Sequence, residues 1–385
     1  MFDPEQIPRL REAIRNCASG DMRLLEELKN EVRLLKSNIR SIKERNATSI
    51  SLVASDGGNN GLAYDPFFFQ LVRVVDSNGK EECLDAVSPT SDTDIVSARQ
   101  FDENGNPKTC LGFLMRDLNC KTLNQLSHYI PTGETIRNKP EEVPNGWVMD
   151  YRDLCEWAVL YHRICYTKFS TPTLIVRDGL LRSKKFRGEL FIKMRDKINE
   201  SIERIKKEDR IDVYLVGLAK HSKVLTKYNL VMALENIFPS GEARFARVPR
   251  EIEKKAYKWG EYSRGIESED EGGEAPKFNF GDMYFVRFGK MSGDPIWVVD
   301  IFSYQSQNDS LIFGCLLQDS INGFPVPYYP LCLQRAHENA QVVDFDFDIL
   351  QDEIIKSIRD NLGGDQKETL DRQVFNFDKS NNRYS

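Results

Sequence analysis

The chain predicts an α/β fold: a mixed sheet with flanking helices. Three observations carry that expectation. Short β-branched and aliphatic runs alternate with long helical segments, and three early runs are separated by tight turns, as in an antiparallel meander. Two further-separated apolar runs end alike, in Asp56-Gly57 and Asp178-Gly179.

In chain order, residues 22–46 predict a long helix. Leu25, Leu28, Val32, Leu35, Ile39 and Ile42 alternate steps of three and four, a heptad seam between charged positions. Such a coiled-coil arm packs on its own domain or on a second copy, and the narrow seam favours self-association. Residues 50–55 read as a strand running into Asp56-Gly57-Gly58, residues 67–75 as a second, and 82–87 as a weaker third after the turn Ser77-Asn78-Gly79. Residues 88–148 are less regular: 101–107 is turn-rich, 109–129 has helical spacing, and 138–146, with Pro140 and Pro144, reads as a loop.

Residues 150–166 predict a helix with Asp150 as cap and Leu154, Ala158, Tyr161 and Cys165 on one face. A strand over 173–177 follows, then a basic helix over 186–207, a strand over 211–218 and a helix over 225–238 closed by Pro239-Ser240-Gly241. Strands are expected at 283–288 and 296–301, an acidic loop at 265–277, and a polar tail from Asn361. The division expected is a helical arm over 1–46, a main domain over 47–360 and a flexible tail over 361–385.

With 385 residues, 40% hydrophobic and 29% charged, the chain has ample material for a core and suits a soluble protein. No run approaches the roughly 18 apolar residues of a membrane span. The opening Met1-Phe2-Asp3-Pro4-Glu5 lacks the character of a secretory signal. Eight cysteines contain no Cys-x-x-Cys pair, which fits reduced thiols in the cytoplasm. The net charge of −6 argues against a general polyanion binder, yet residues 177–227 hold 15 Lys and Arg against 8 Asp and Glu. That run is a surface for a phosphate backbone or a solvated, salt-bridged helix face.

Two aspartates at the ends of neighbouring strands make a pocket for hard divalent cations and so for phosphodiester hydrolysis. Asp56 and Asp178 are the candidates, though Asp-Gly is also a common turn. A third carboxylate is expected from the preceding helix: Glu156, with Asp153 one turn earlier. The alternative for Glu156 is an ordinary ion pair with Arg152. Lys220, at a strand end, either steadies a phosphate or marks a turn, and His337, in an apolar helical segment, is either an acid–base group or a structural residue. The P-loop pattern, the Gly-x-Ser-x-Gly elbow and an Asp-x-Asp pair at either aspartate are all absent from the sequence.

The ordered set resembles the NurA nuclease family over roughly residues 46–345: an early Asp-Gly strand, a helix with an interior Glu, a second Asp-Gly strand, Val216-Gly217-x-x-Lys220, and a C-terminal Tyr-Pro then Ala336-His337 helix. The resemblance implies a ribonuclease H-like core and a dimer that cuts DNA with Mn²⁺ or Mg²⁺. It also implies a HerA-type hexameric ATPase as partner, in DNA end processing or phage defence. By the same resemblance Asp56, Glu156 and Asp178 hold the metal, while Lys220 and His337 complete the site. Gly58 departs from the small hydroxyl residue usual after the first Asp-Gly, and 22 residues from Glu156 to Asp178 is a long spacing. The rival expectation is an inactive member serving as a DNA clamp or translocase adaptor.

Overall fold

A computed structural model describes residues 3, 6–45, 50–64, 67–257, 278–342 and 344–372. The chain forms two compact units, Met1–Ala340 and Gln341–Ser385. The first unit holds one nine-stranded mixed sheet, and its strands in chain order are β1 (Ile39–Ser41), β2 (Ser51–Tyr64), β3 (Phe67–Asp76), β4 (Glu81–Val87), β5 (Thr173–Asp178), β6 (Val213–Ala219), β7 (Arg244–Arg247), β8 (Gly281–Arg287) and β9 (Trp297–Phe302). Their spatial order is β1-β7-β8-β9-β6-β5-β2-β3-β4. β2, β3 and β4 form the antiparallel meander, while β5 pairs parallel with β2 and β6 parallel with β5. A three-strand meander whose first strand continues into two parallel strands is the ribonuclease H-like arrangement.

The helices of this unit are α1 (Ile7–Arg33), α2 (Thr93–Ala98), α3 (Cys110–Asp117), α4 (Leu123–Leu126), α5 (Gly133–Asn138), α6 (Trp147–Tyr166), α7 (Leu190–Glu208), α8 (Lys223–Leu234), α9 (Arg250–Ala256), α10 (Asp309–Ser320) and α11 (Leu331–Ala340). Strand alternation divides the core. Ile175 and Leu215 face α6 and α7, while Leu174, Val176, Val216 and Leu218 face α10 and α11. A third cluster joins α1, α8 and α9 to Met283, Phe285 and Val298. Trp157 anchors α6: it is fully buried, with its ring centroid 5.2 Å from Phe191 and 5.4 Å from Phe280. That packing sets the rotation of α6, and with it the direction of the neighbouring Glu156.

Several expectations are corrected. The first helix runs from Ile7 to Arg33 rather than over 22–46, and Ile39 starts β1 because its backbone pairs with Ala246 of β7. The seam residues Leu25, Leu28, Val32 and Leu35 pack within the chain beside Tyr228 and Val231 of α8. Gly146, not Asp150, sits at the cap position of α6, and Asp150 lies in its first turn. The unplaced residues 88–148 form the short helices α2 to α5, capped by the side chains of Asp92, Thr109, Thr122 and Thr132. The acidic stretch 265–277 lies outside the described residues. In the second unit, helices span Asp344–Asp360 and Gly364–Arg372, the latter inside the expected tail, whose residues 373–385 lie outside the described ones. All eight cysteines are unpaired, and among the described residues no helix is long and apolar enough to cross a membrane.

Candidate active site

The parallel register of β2 and β5 pairs Ser55 with Arg177, which brings the next residues, Asp56 and Asp178, level at adjacent strand ends. Strand alternation turns both towards α11. Asp56 Oδ2 lies 2.7 Å from His337 Nδ1 on that helix, and Asp178 Oδ1 lies 3.4 Å from the Tyr329 hydroxyl just before it. Lys220 extends from the end of β6, its Nζ 3.2 Å from Asp178 Oδ2 and 5.1 Å from the centre of the Tyr329 ring. Four of the five residues singled out in the sequence thus meet on one face. His337 is half exposed rather than packed in an apolar interior.

Glu156 approaches from the other face. A Cβ at Gly57 would run into its carboxylate, so the glycine is what lets α6 bring this group against β2. The carboxylate lies 3.3 Å from Arg152 Nε and 3.7 Å from an Arg177 guanidinium nitrogen, and Asp153 shares the same Arg177 at 3.1 Å. The ion pair with Arg152 and proximity to the aspartates are therefore both true of Glu156.

Charge is crowded here. Burial is the largest influence on Glu156 and pushes its carboxyl up to about 8; Arg177 and Arg152 pull it down, while Asp153 and Asp56 add like-charge repulsion. Burial and then Asp56 raise Asp178, against the attraction of Lys220 and Arg177. Asp153 is raised by burial, opposed by Arg177 and Arg152.

An all-oxygen set of mutually repelling carboxylates is the donor chemistry that a hard divalent ion satisfies. In geometry the fit is partial. Asp56 and Asp178 stand side by side, but Glu156 is drawn towards two arginines, and among the described residues no three His, Cys, Asp or Glu side chains are grouped to hold a metal ion. Bringing Glu156 into a shared site requires its side chain to leave Arg177 and pass the edge at Gly57.

Sequence reasoning missed three contributors. Arg177 precedes Asp178 in the strand, so alternation sends it to the α6 face, where its guanidinium lies 4.2 Å from the Trp157 ring. Tyr329 was visible only as part of Tyr328-Tyr329-Pro330. Gly217 has a steric role: a Cβ there would lie 2.8 Å from Leu181 N and 2.9 Å from the Leu180 carbonyl carbon. The turn after Asp178 therefore crosses directly over β6, which explains a glycine three residues before Lys220.

No family model matches the chain, and no curated protein sequence matches it. Among solved structures, the chain is similar to the NurA nuclease from Sulfolobus solfataricus, at 13% identity over 94% of this chain and 99% of that one, with a TM-score of 0.43. The likeness is one of fold. A structure of NurA bound to dAMP and manganese is similar at 11% identity over 96% of this chain and all of that one (100%), with a TM-score of 0.37. NurA with manganese is similar at 12% identity over 94% and 99% of the two chains, with a TM-score of 0.36.

Proposed function

We propose that the protein is a metal-dependent deoxyribonuclease. The observation that carries this reading is the level pair Asp56 and Asp178 on adjacent parallel strands, with Lys220 and His337 arranged round it. Asp56 and Asp178 would hold Mn²⁺ or Mg²⁺, with Glu156 as third ligand, and the ion would supply an activated water and charge stabilisation at the phosphate. Lys220, a compact ammonium at the rim, neutralises charge building on a phosphate oxygen. Asp56 holds the His337 ring through Nδ1, which orients the remaining ring nitrogen to orient water or deliver a proton to the leaving oxygen. Tyr329 positions Asp178.

The test is cleavage of linear single- and double-stranded DNA with Mn²⁺, with and without chelator. Cleavage abolished by chelator is expected; none under any metal condition overturns the reading. The arginine pairs on Glu156 favour the second reading, an inactive DNA clamp, and under it the chain binds DNA without cutting.

We extend the proposal to a cytoplasmic homodimer, supported by exposed Leu10, Ile14, Met22 and Leu24 on α1. A chain without a P-loop has no motor of its own, so the proposal includes a HerA-type hexameric ATPase that feeds it duplex ends in repair or phage defence. Duplex cleavage should rise when that ATPase and ATP are added. Unaided full activity and a monomer by light scattering would remove both partners.

A further inference from the structure

On the α6 side of the sheet, a cavity of 490 Å³ opens beside the carboxylates, lined by Arg177 and Gly179 on either side of Asp178. Its charge is lopsided. Arg182 in its wall is neutralised by Asp300 and Glu253, Arg177 is paired with Asp153, and Lys185 is paired with Asp150. Lys184, His221 and Lys223 also line it, with no acidic partner among the described residues. The N-terminus of the 12-residue α8 lies here too, capped by Ser222, whose hydroxyl accepts from Val224 N at 3.2 Å. The positive end of that helix adds to the field of the three cations.

An aromatic surface adjoins the cavity. Lys185 Nζ lies 5.4 Å and Lys184 Nζ 5.9 Å from the centre of the Tyr129 ring, and His128 lies against Tyr129 with centroids 4.1 Å apart. Tyr129 is partly exposed and His128 exposed. A bridge between Ser127 and Phe186 ties this segment, from the irregular part of the chain, to the 184–187 turn. Burial and then the like charges of Arg187 and Lys184 hold His128 below its usual value, a sign of the local positive potential.

A pocket with unbalanced cations, a helix N-terminus and a neighbouring exposed ring matches the chemistry of one nucleotide. We propose that it is a subsite for one nucleotide of a single strand, with its phosphate among Lys184, His221, Lys223 and the start of α8, and its base on Tyr129. A single strand is required because a paired base is already stacked and cannot lie on the ring. Arg177 and Gly179 place the subsite next to the phosphate that Asp56 and Asp178 would meet. The assignment rests on the nuclease reading for that position, but its test does not need catalysis.

The experiment is fluorescence anisotropy of full-length protein with a short dye-labelled oligothymidylate in chelator, across a salt series. The Lys184→Ala/Lys223→Ala variant should bind roughly tenfold more weakly and lower the salt slope by about one per lysine removed. Tyr129→Ala should weaken binding by roughly tenfold, and should have no effect on an abasic oligomer of equal length. The charge-matched control Lys206→Ala/Lys207→Ala, in the last turn of α7, should bind as wild type. Equal affinities for the pocket variant and the control would overturn the subsite, as would an equal effect of Tyr129→Ala on the abasic strand. Normal cleavage by pocket variants with unchanged binding removes the subsite and keeps the nuclease; weakened binding in a protein that never cleaves does the reverse.

Discussion

Replacing Glu156 with glutamine changes a charge and almost nothing else in shape, so it isolates what the crowded carboxylate costs the fold. The side chain is 17% exposed, and its carboxyl is displaced from 4.5 to about 8. The folded state therefore keeps a proton that the unfolded state releases. That contribution is fully present below about pH 4.5 and is lost as the pH rises through about 8. At 1.4 kcal/mol per tenfold, the loss is roughly 3 kcal/mol by neutral pH and approaches roughly 5 kcal/mol in mild alkali. In chelator, thermal melts from acid to alkaline pH should show wild type losing ground to Glu156→Gln as pH rises. The difference should reach several degrees in favour of the variant in mild alkali. Saturating Mn²⁺ should then reverse the order, because a ligand stabilises only the state that binds it and the variant should bind roughly 10- to 100-fold more weakly. A difference between the two proteins that is flat with pH would refute the electrostatic reasoning. Equal stabilisation by Mn²⁺ would remove Glu156 from the metal site.

Gly57→Ala forces the Glu156 carboxylate aside and should lower cleavage by roughly tenfold or more with little change in melting temperature; full activity would show that Glu156 need not sit there. Gly217→Ala meets backbone rather than a flexible side chain, and should cost about 1–3 kcal/mol in urea unfolding. A wild-type midpoint would contradict the close crossing of the 179–181 turn. Arg182→Ala leaves Asp300 and Glu253 buried without their partner and should destabilise by about 3–5 kcal/mol, read by the same assay.

Most of the sheet was legible because its strands are long apolar runs bounded by turns, and the strands at 67–76, 173–178 and 213–219 appear within a residue or two of their expected places. β1 was hidden because Ile39 continues the helical spacing of the arm, and its strand character comes only from pairing with β7, four residues long and equally silent. α10 was hidden for the opposite reason: Ile312, Phe313, Cys315, Leu316 and Leu317 bury nearly every side of it, leaving no amphipathic period to read. The short helices of 88–148 had visible caps at Asp92, Thr109, Thr122 and Thr132 but too few residues for a pattern. In the site, Asp56 and Asp178 were legible because both end similar strands. The role of Arg177 was not, because ion pairing across elements has no sequence period.

The metal site itself is tested most directly by calorimetric titration of Mn²⁺ into wild type, Asp56→Ala and Asp178→Ala, with cleavage measured on the same samples. The reading predicts saturable binding and chelator-sensitive cleavage by wild type, and loss of both in each variant while the melting temperature in chelator holds or rises as like-charge repulsion is relieved. Cleavage at the wild-type level by either variant at saturating Mn²⁺ would contradict it.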